Sequence, residues 1–233
     1  MWYKVKRIMM RPNGVEKQVR PIGWKPWANT LAYYPLTDDF NDHKGSGTAA
    51  NLTNSWGSIT TVWWIKCAYY NWSSYSVNTS LPSLSNTRTI SCWWRPASTS
   101  GVMWIVVTWY TWSSYHIWWL QQSSWVIWGS EWATTNQSVN SWFSVSINTW
   151  YNLVTTIENW TTAKIYVNWE LKNTISRSNP IVTASWLAIW AKSWSTFSEK
   201  ATWYVRDAII EGVAWSTTNV SDYYNLTKWN YWL

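Results

Sequence analysis

The sequence predicts an all-β fold: a two-sheet antiparallel β-sandwich of jelly-roll type, with an N-terminal β-hairpin arm and one short C-terminal helix. Three observations point to it. Short β-branched and aromatic runs, such as Arg88 to Arg95, Leu153 to Ile157 and Thr162 to Val167, recur with turn residues between them. Helical periodicity is almost absent until the C-terminus. Two connections, Glu158-Asn159-Trp160-Thr161 and Val167-Asn168-Trp169-Glu170, are short enough to close tight hairpins.

The first element is basic. Tyr3 to Met10 and Val15 to Arg20 are extended segments joined by Arg11-Pro12-Asn13-Gly14, a strong hairpin signal. Residues 1 to 26 hold Lys4, Lys6, Arg7, Arg11, Lys17, Arg20 and Lys25 against Glu16, so most of the formal net charge of +7 belongs to this arm. Nucleic-acid binding is not indicated, because aromatic interleaving and any nucleic-acid motif are missing. The arm reads as a solvated hairpin that docks the chain onto a partner or a neighbouring copy. Pro21 to Asn29, with Pro21 and Pro26, reads as a linker, which gives an arm over residues 1 to 28 and a β domain over 29 to 233.

Within the domain, Leu31 to Leu36 is an apolar strand whose Pro35 suits a first or edge position. The loop after it carries Asp38, Asp39, Asn41 and Asp42, then Gly45-Ser46-Gly47. Hard oxygen ligands beside flexible glycines suit calcium, although a turn held by its own Asx hydrogen bonds has the same composition. Lys66 to Val77 reads as strand, turn, strand, and Leu81-Pro82-Ser83-Leu84 as an apolar connection. Further strands are expected at Arg88 to Arg95, Met103 to Thr108, Tyr115 to Leu120, Val126 to Trp128 and Phe143 to Ile147. The remainder are Leu153 to Ile157, Thr162 to Val167, Leu171 to Ser176, Leu187 to Ala191 and Thr202 to Ile210. Ser216 is placed to cap a short helix with Val220, Tyr223 and Tyr224 on one face.

Composition carries a conflict. There are 28 Trp and only 8 Gly among 233 residues, where average usage would give roughly 7% glycine. The tryptophans fall in polar, turn-forming settings such as Asn71-Trp72-Ser73-Ser74, Thr111-Trp112-Ser113-Ser114 and Lys192-Ser193-Trp194-Ser195. A type I′ turn needs φ > 0 at both central residues, which glycine supplies without steric cost. Most of these tryptophans therefore read as glycines of the native product. UGG and GGA each differ from UGA by one base, and some bacterial lineages and their phages read UGA as glycine. Trp93, Trp150 and Trp215 are expected to be genuine, and Trp160 and Trp169 to project into solvent with no packing reason to be there.

Two cysteines, Cys67 and Cys92, are too few for a disulfide framework; one bridge or two free thiols both fit. No stretch approaches the ~18 continuous apolar residues of a transmembrane helix, and no secretory signal is visible. Catalysis is not indicated. The glutamates Glu131, Glu158, Glu170, Glu199 and Glu211 are scattered, and His43 and His116 lack a surrounding motif. No paired carboxylates, phosphate loop or zinc spacing occurs.

Several segments occur in the order seen in one family. These are Tyr34-Pro35-Leu36 followed by Asp42, then Ala68-Tyr69-Tyr70-Asn71-Trp72-Ser73-Ser74-Tyr75, and Thr89-Ile90-Ser91-Cys92-Trp93. Asn148 to Val154, Ala163 to Leu171 and Trp203 to Glu211 complete the set. Together they resemble concanavalin A-like lectin and laminin G-like domains over roughly residues 30 to 233. The resemblance places tryptophan where the family has glycine at Trp72 and Trp169, and keeps tryptophan at Trp93 and Trp150. It implies a calcium ion between the opening loop and the closing strand, with Asp42 and Asp207 as ligands and Asp38 and Asp39 nearby. It also implies a non-catalytic binding module for a glycan or surface polysaccharide, with Tyr75, Tyr110 and Tyr115 as candidate platforms. An extracellular, cell-surface or virion location goes with that reading. The alternative is a structural component of a phage tail or cell-surface assembly, docked through residues 1 to 28.

Overall fold

A computed structural model describes residues 28–44, 50–71, 74–79, 81, 87–98, 102–109, 116–123, 125–131, 137–159, 161–177, 186–190 and 202–231. The hairpin arm expected before Thr30 lies outside them, as do Trp72 and Trp160. The described strands are β1 (Thr30–Tyr34), β2 (Thr53–Ser55), β3 (Ser58–Val62), β4 (Ile65–Tyr70), β5 (Tyr75–Asn78), β6 (Arg88–Pro96), β7 (Val102–Trp109) and β8 (His116–Ser123). They continue with β9 (Val126–Glu131), β10 (Gln137–Ser144), β11 (Tyr151–Glu158), β12 (Thr162–Val167), β13 (Glu170–Ser176), β14 (Trp186–Trp190) and β15 (Trp203–Glu211).

One sheet runs β13-β12-β11-β6-β15-β4-β3, with β1 also paired to β15; the other runs β10-β9-β8-β7-β14-β5-β2. All pairings between these strands are antiparallel. The chain is thus an all-β sandwich with one short helix near its C-terminus, as expected.

Alternation on β6 shows how the layers are built. Ile90, Cys92 and Trp94 point into the core between the sheets, where they meet Val106, Leu120, Ile127, Leu153 and Ile189. Trp93 points the other way, into a second cluster with Trp150, Val154, Tyr166 and Ile209. Helix α1 (Thr217–Thr227) and the 3-10 turn Lys228–Tyr231 cover that second cluster. With both faces covered, all nine residues of β6 are buried.

The helix buries Val220, Tyr223, Tyr224 and Thr227, which share one face at helical spacing. The Trp93 indole N–H donates to Thr227 Oγ1 at 3.0 Å, and its ring stacks on Tyr231 with centroids 3.9 Å apart. Trp93, Trp150 and Trp215 are all buried, in keeping with genuine core tryptophans.

Other tryptophans behave differently. Eleven non-glycine residues among those described have φ in the left-handed region, and six are Trp56, Trp63, Trp64, Trp125, Trp142 and Trp169. Trp63 (φ 48°) and Trp64 (φ 72°) link β3 to β4 between the paired Val62 and Ile65. Asn168 (φ 49°) and Trp169 (φ 67°) do the same between Val167 and Glu170. Both are two-residue hairpins with positive φ at both central positions, the I′ signature. All six side chains are exposed. Trp169 corrects one expectation, since its ring lies 4.6 Å from that of Tyr224 and so does have a packing neighbour.

Two further differences have local causes. β10 occupies Gln137–Ser144 and not Phe143 to Ile147. Its register shifts between Asn140 and Ser144, where Trp142 takes φ 52° and donates its backbone N–H to Asn140 Oδ1. Strands β2 and β3 were not expected, because Thr, Asn and Ser dominate them and their edge position asks for little apolar patterning. Cys67 and Cys92 are both free and buried. Cys67 lies under the helical cover and Cys92 between the sheets, so the sheet itself separates them.

Candidate binding surface

The four aspartates expected to hold calcium are each engaged by protein groups. Asp42 Oδ1 accepts from the backbone N–H groups of Tyr33 (2.9 Å) and Lys44 (3.0 Å), and Oδ2 from that of Ala50 (3.0 Å). Lys44 Nζ is 3.7 Å from the same carboxylate. Asp207 accepts from the Tyr33 hydroxyl (2.9 Å) and the Tyr231 hydroxyl (2.6 Å), with Arg206 Nε 3.4 Å away. Asp38 pairs with Lys66 at 2.6 Å, and Asp39 with Asn41 and His43.

Tyr33 thus ties Asp42 to Asp207, backbone to one and hydroxyl to the other. The opening loop and the closing strand do meet, as the resemblance implies, but through a tyrosine. Among the described residues no group of three or more His, Cys, Asp or Glu is arranged to hold a metal ion. A calcium ion needs six to eight oxygens free to turn towards it. In this structure the oxygens of Asp42 and Asp207 accept from N–H and O–H donors, with Lys44 and Arg206 beside them.

Of the expected platforms, Tyr75 sits on β5 and packs with Trp104, Val107 and Ala188 as part of its sheet face. Tyr110 and Tyr115 lie outside the described residues.

A different group of aromatics comes together on the outer face of the first sheet, where the helical cover ends. Register places Tyr69 of β4 opposite Tyr204 of β15, and Tyr204 opposite Arg95 of β6. The two tyrosine rings have centroids 5.4 Å apart and planes inclined at 44°. The Arg95 guanidinium lies 5.0 Å from the Tyr204 ring centroid and 4.9 Å from that of Trp63, and its Nε donates to the Asn148 carbonyl at 3.1 Å. Burial draws the pKa of Arg95 down, against which Tyr204 acts as the chief opposing group.

The three side chains therefore form a row across three adjacent strands. Two half-buried aromatic faces with a guanidinium beside them suit a ligand with an apolar face and a polar edge. Sequence reasoning missed this row because its members are far apart along the chain. The alternation in Lys66 to Tyr70 and in Trp203 to Asp207 was readable, but the register bringing them side by side was not.

No family model and no curated protein matches the chain. Its fold does resemble solved structures of botulinum neurotoxin binding domains. A type C structure, from work describing cell entry of that toxin as dependent upon interaction with two ganglioside molecules, matches with TM-score 0.67 and 18% identity over 84% of this chain and 50% of that one. The serotype D/C binding domain gives TM-score 0.68 and 15% identity over 84% and 52%. The type G receptor binding domain gives 0.67 and 16% over 86% and 52%.

The likeness is one of fold. This chain spans about half the length of these structures, two of which are described as binding domains.

Proposed function

We propose that this chain is a non-catalytic binding module that recognises carbohydrate through Tyr69, Tyr204 and Arg95. The observation that carries this is the tyrosine pair on the outer sheet face, with Arg95 stacked beside it. Sugars offer a C–H face for aromatic rings and hydroxyls for a guanidinium donor. Structures of similar fold support it, since one is described as interacting with ganglioside molecules and another as a complex with SialylT. An extracellular or surface setting belongs to the same reading. The laminin G-like assignment remains a resemblance of residues, and the assembly reading rests on the arm, outside the described residues. Calcium has no part in this reading, because Asp42 and Asp207 are already taken.

Trp63 bears directly on the surface. With glycine at position 63, the face of Arg95 that the indole now covers would be open to ligand. Recoding of the positive-φ tryptophans to glycine is part of this proposal. Its support is the backbone conformation at Trp63, Trp64 and Trp169, and the mass of the natively produced protein tests it.

Glycan-array binding followed by titration of Tyr204→Ala and Tyr69→Ala tests the surface. Each lost ring contact is worth about 1 kcal/mol, so affinity should fall several-fold for each variant while the melting temperature of the half-buried sites changes little. Binding to no glycan, or equal affinity of both variants and the parent, would remove the proposal.

A further inference from the structure

Arg95 is the buried charge of the binding row. Burial disfavours that charge; Tyr204 and Cys67 are the groups that oppose the effect, and no carboxylate is among them. A long side chain samples many rotamers unless its head is anchored, and ordering it only on binding lowers affinity. Here the anchor is a turn. The Arg95 Nε donates to the backbone carbonyl of Asn148 at 3.1 Å. That bond takes only the Nε donor, and the guanidinium carries further N–H donors on Nη1 and Nη2.

Asn148 stands in the turn before β11 and takes φ 62°, in the left-handed region. Its own N–H donates to the Pro96 carbonyl at 2.7 Å. The same residue therefore grips two successive residues of β6, the side chain of Arg95 and the main chain of Pro96. The segment around it is pinned as well. The Val145 N–H donates to the Trp125 carbonyl at 2.8 Å, the Ser146 N–H to the Tyr151 hydroxyl at 2.9 Å, and Trp150 is buried. Tyr151 in turn pairs with Trp94, the chain neighbour of Arg95.

Asn148 is exposed, so packing does not select this residue. Its backbone does, because asparagine is among the few residues with a Cβ that visit the left-handed region routinely. A residue forced back to negative φ would redirect the carbonyl that holds Arg95. Glycine at position 63 would make this anchor weigh more. It would remove the indole 4.9 Å from the guanidinium and leave the Tyr204 ring, at 5.0 Å, and the Asn148 carbonyl to hold it.

We propose, resting on the reading of Tyr69, Tyr204 and Arg95 as the carbohydrate surface, that Asn148 is its positioning residue: the left-handed backbone at Asn148 sets where Arg95 presents its guanidinium.

The first test needs no glycan. In the isotope-labelled full chain, the Arg95 Nε–H resonance is identified by its loss in Arg95→Lys. This N–H should exchange slowly with water in the parent and in Asn148→Gly, which keeps both the carbonyl and the positive φ. In Asn148→Val, whose branched side chain disfavours positive φ, exchange should be several-fold faster. Unchanged exchange in Asn148→Val would overturn the proposal. Should that variant fail to fold, Asn148→Ala makes the same comparison with a milder preference against positive φ.

Affinity is then read with sialyllactose as an acidic probe and lactose as a neutral one, well below the melting temperature of every variant. Asn148→Val should bind several-fold more weakly than the parent, and Asn148→Gly should match it. A residue serving only the stability of the turn would lower the melting temperature and leave the affinity of the folded chain unchanged. That result, with binding present in the parent, would overturn the positioning role. If the parent bound neither probe while Asn148→Val still released the Arg95 Nε–H, the anchor would stand and the carbohydrate reading would be the part that fails.

Discussion

At Trp142 the backbone and the side chain ask for different residues. Its φ of 52° sits at a register shift in β10, and its ring is 76% exposed, so little packing offsets the strained backbone. The left-handed region costs a residue with a Cβ roughly 1–2 kcal/mol. Trp142→Gly should therefore stabilise the chain by about 1 kcal/mol, read as a higher urea midpoint with unchanged slope. Trp93→Ala is the contrast, with an expected loss of about 3–5 kcal/mol, because its indole is stacked and its N–H is paired. If both substitutions destabilised to a similar degree, exposed and buried tryptophans would not be two populations. The division was legible at Trp93, Trp150 and Trp215, where strand neighbours surround the indole. It was not legible at Trp203 or Trp94, whose rings are buried as fully as those three. Neighbouring sequence alone does not distinguish a filled core from an overfilled one.

Elements were easiest to read where local chemistry closes on itself. Ser216 was expected to cap the helix, and it does so in a full capping box. Its Oγ accepts from the Asn219 backbone N–H at 3.1 Å, while Asn219 Oδ1 accepts from the Ser216 N–H at 3.0 Å. Ser216→Ala removes the first of these bonds and should lower stability by about 1 kcal/mol, with a larger loss of amide-exchange protection in α1 than in β6. Equal loss in both elements would mean that helix and sheet unfold as one unit. The β11-β12-β13 meander was equally legible, because alternation, a three-residue connection after Glu158 and the two-residue turn at Asn168 and Trp169 specify its register locally. β2 and β3 were not, since short polar edge strands acquire their structure from the partner they pair with. The binding row failed to show for a related reason: Tyr69, Arg95 and Tyr204 share a face only after three strands separated in sequence have been brought into order.

Where β1 joins the first sheet, a side-chain contact that ties the opening strand to the closing one is titratable. Glu211 ends β15 opposite Thr30 of β1, and its Oε1 accepts from the Thr30 hydroxyl at 2.5 Å. The residue is fully buried, and Oε2 has no partner among the described residues. Burial, only partly opposed by Thr30, lifts its pKa from the ordinary 4.5 to about 7. Between those two values the folded chain holds a proton that the unfolded chain has released. Unfolding then loses protons, so stability is fully present below about pH 4.5 and declines as pH rises through about 7. Glu211→Gln keeps an acceptor for Thr30 and carries no charge at any pH. Urea unfolding across this window should show the parent losing stability as pH rises, with the variant flatter and more stable than the parent at about pH 8. If the variant kept the full slope, the decline would belong to another group, and Glu211 would be ionised in the fold with a neighbour to balance it.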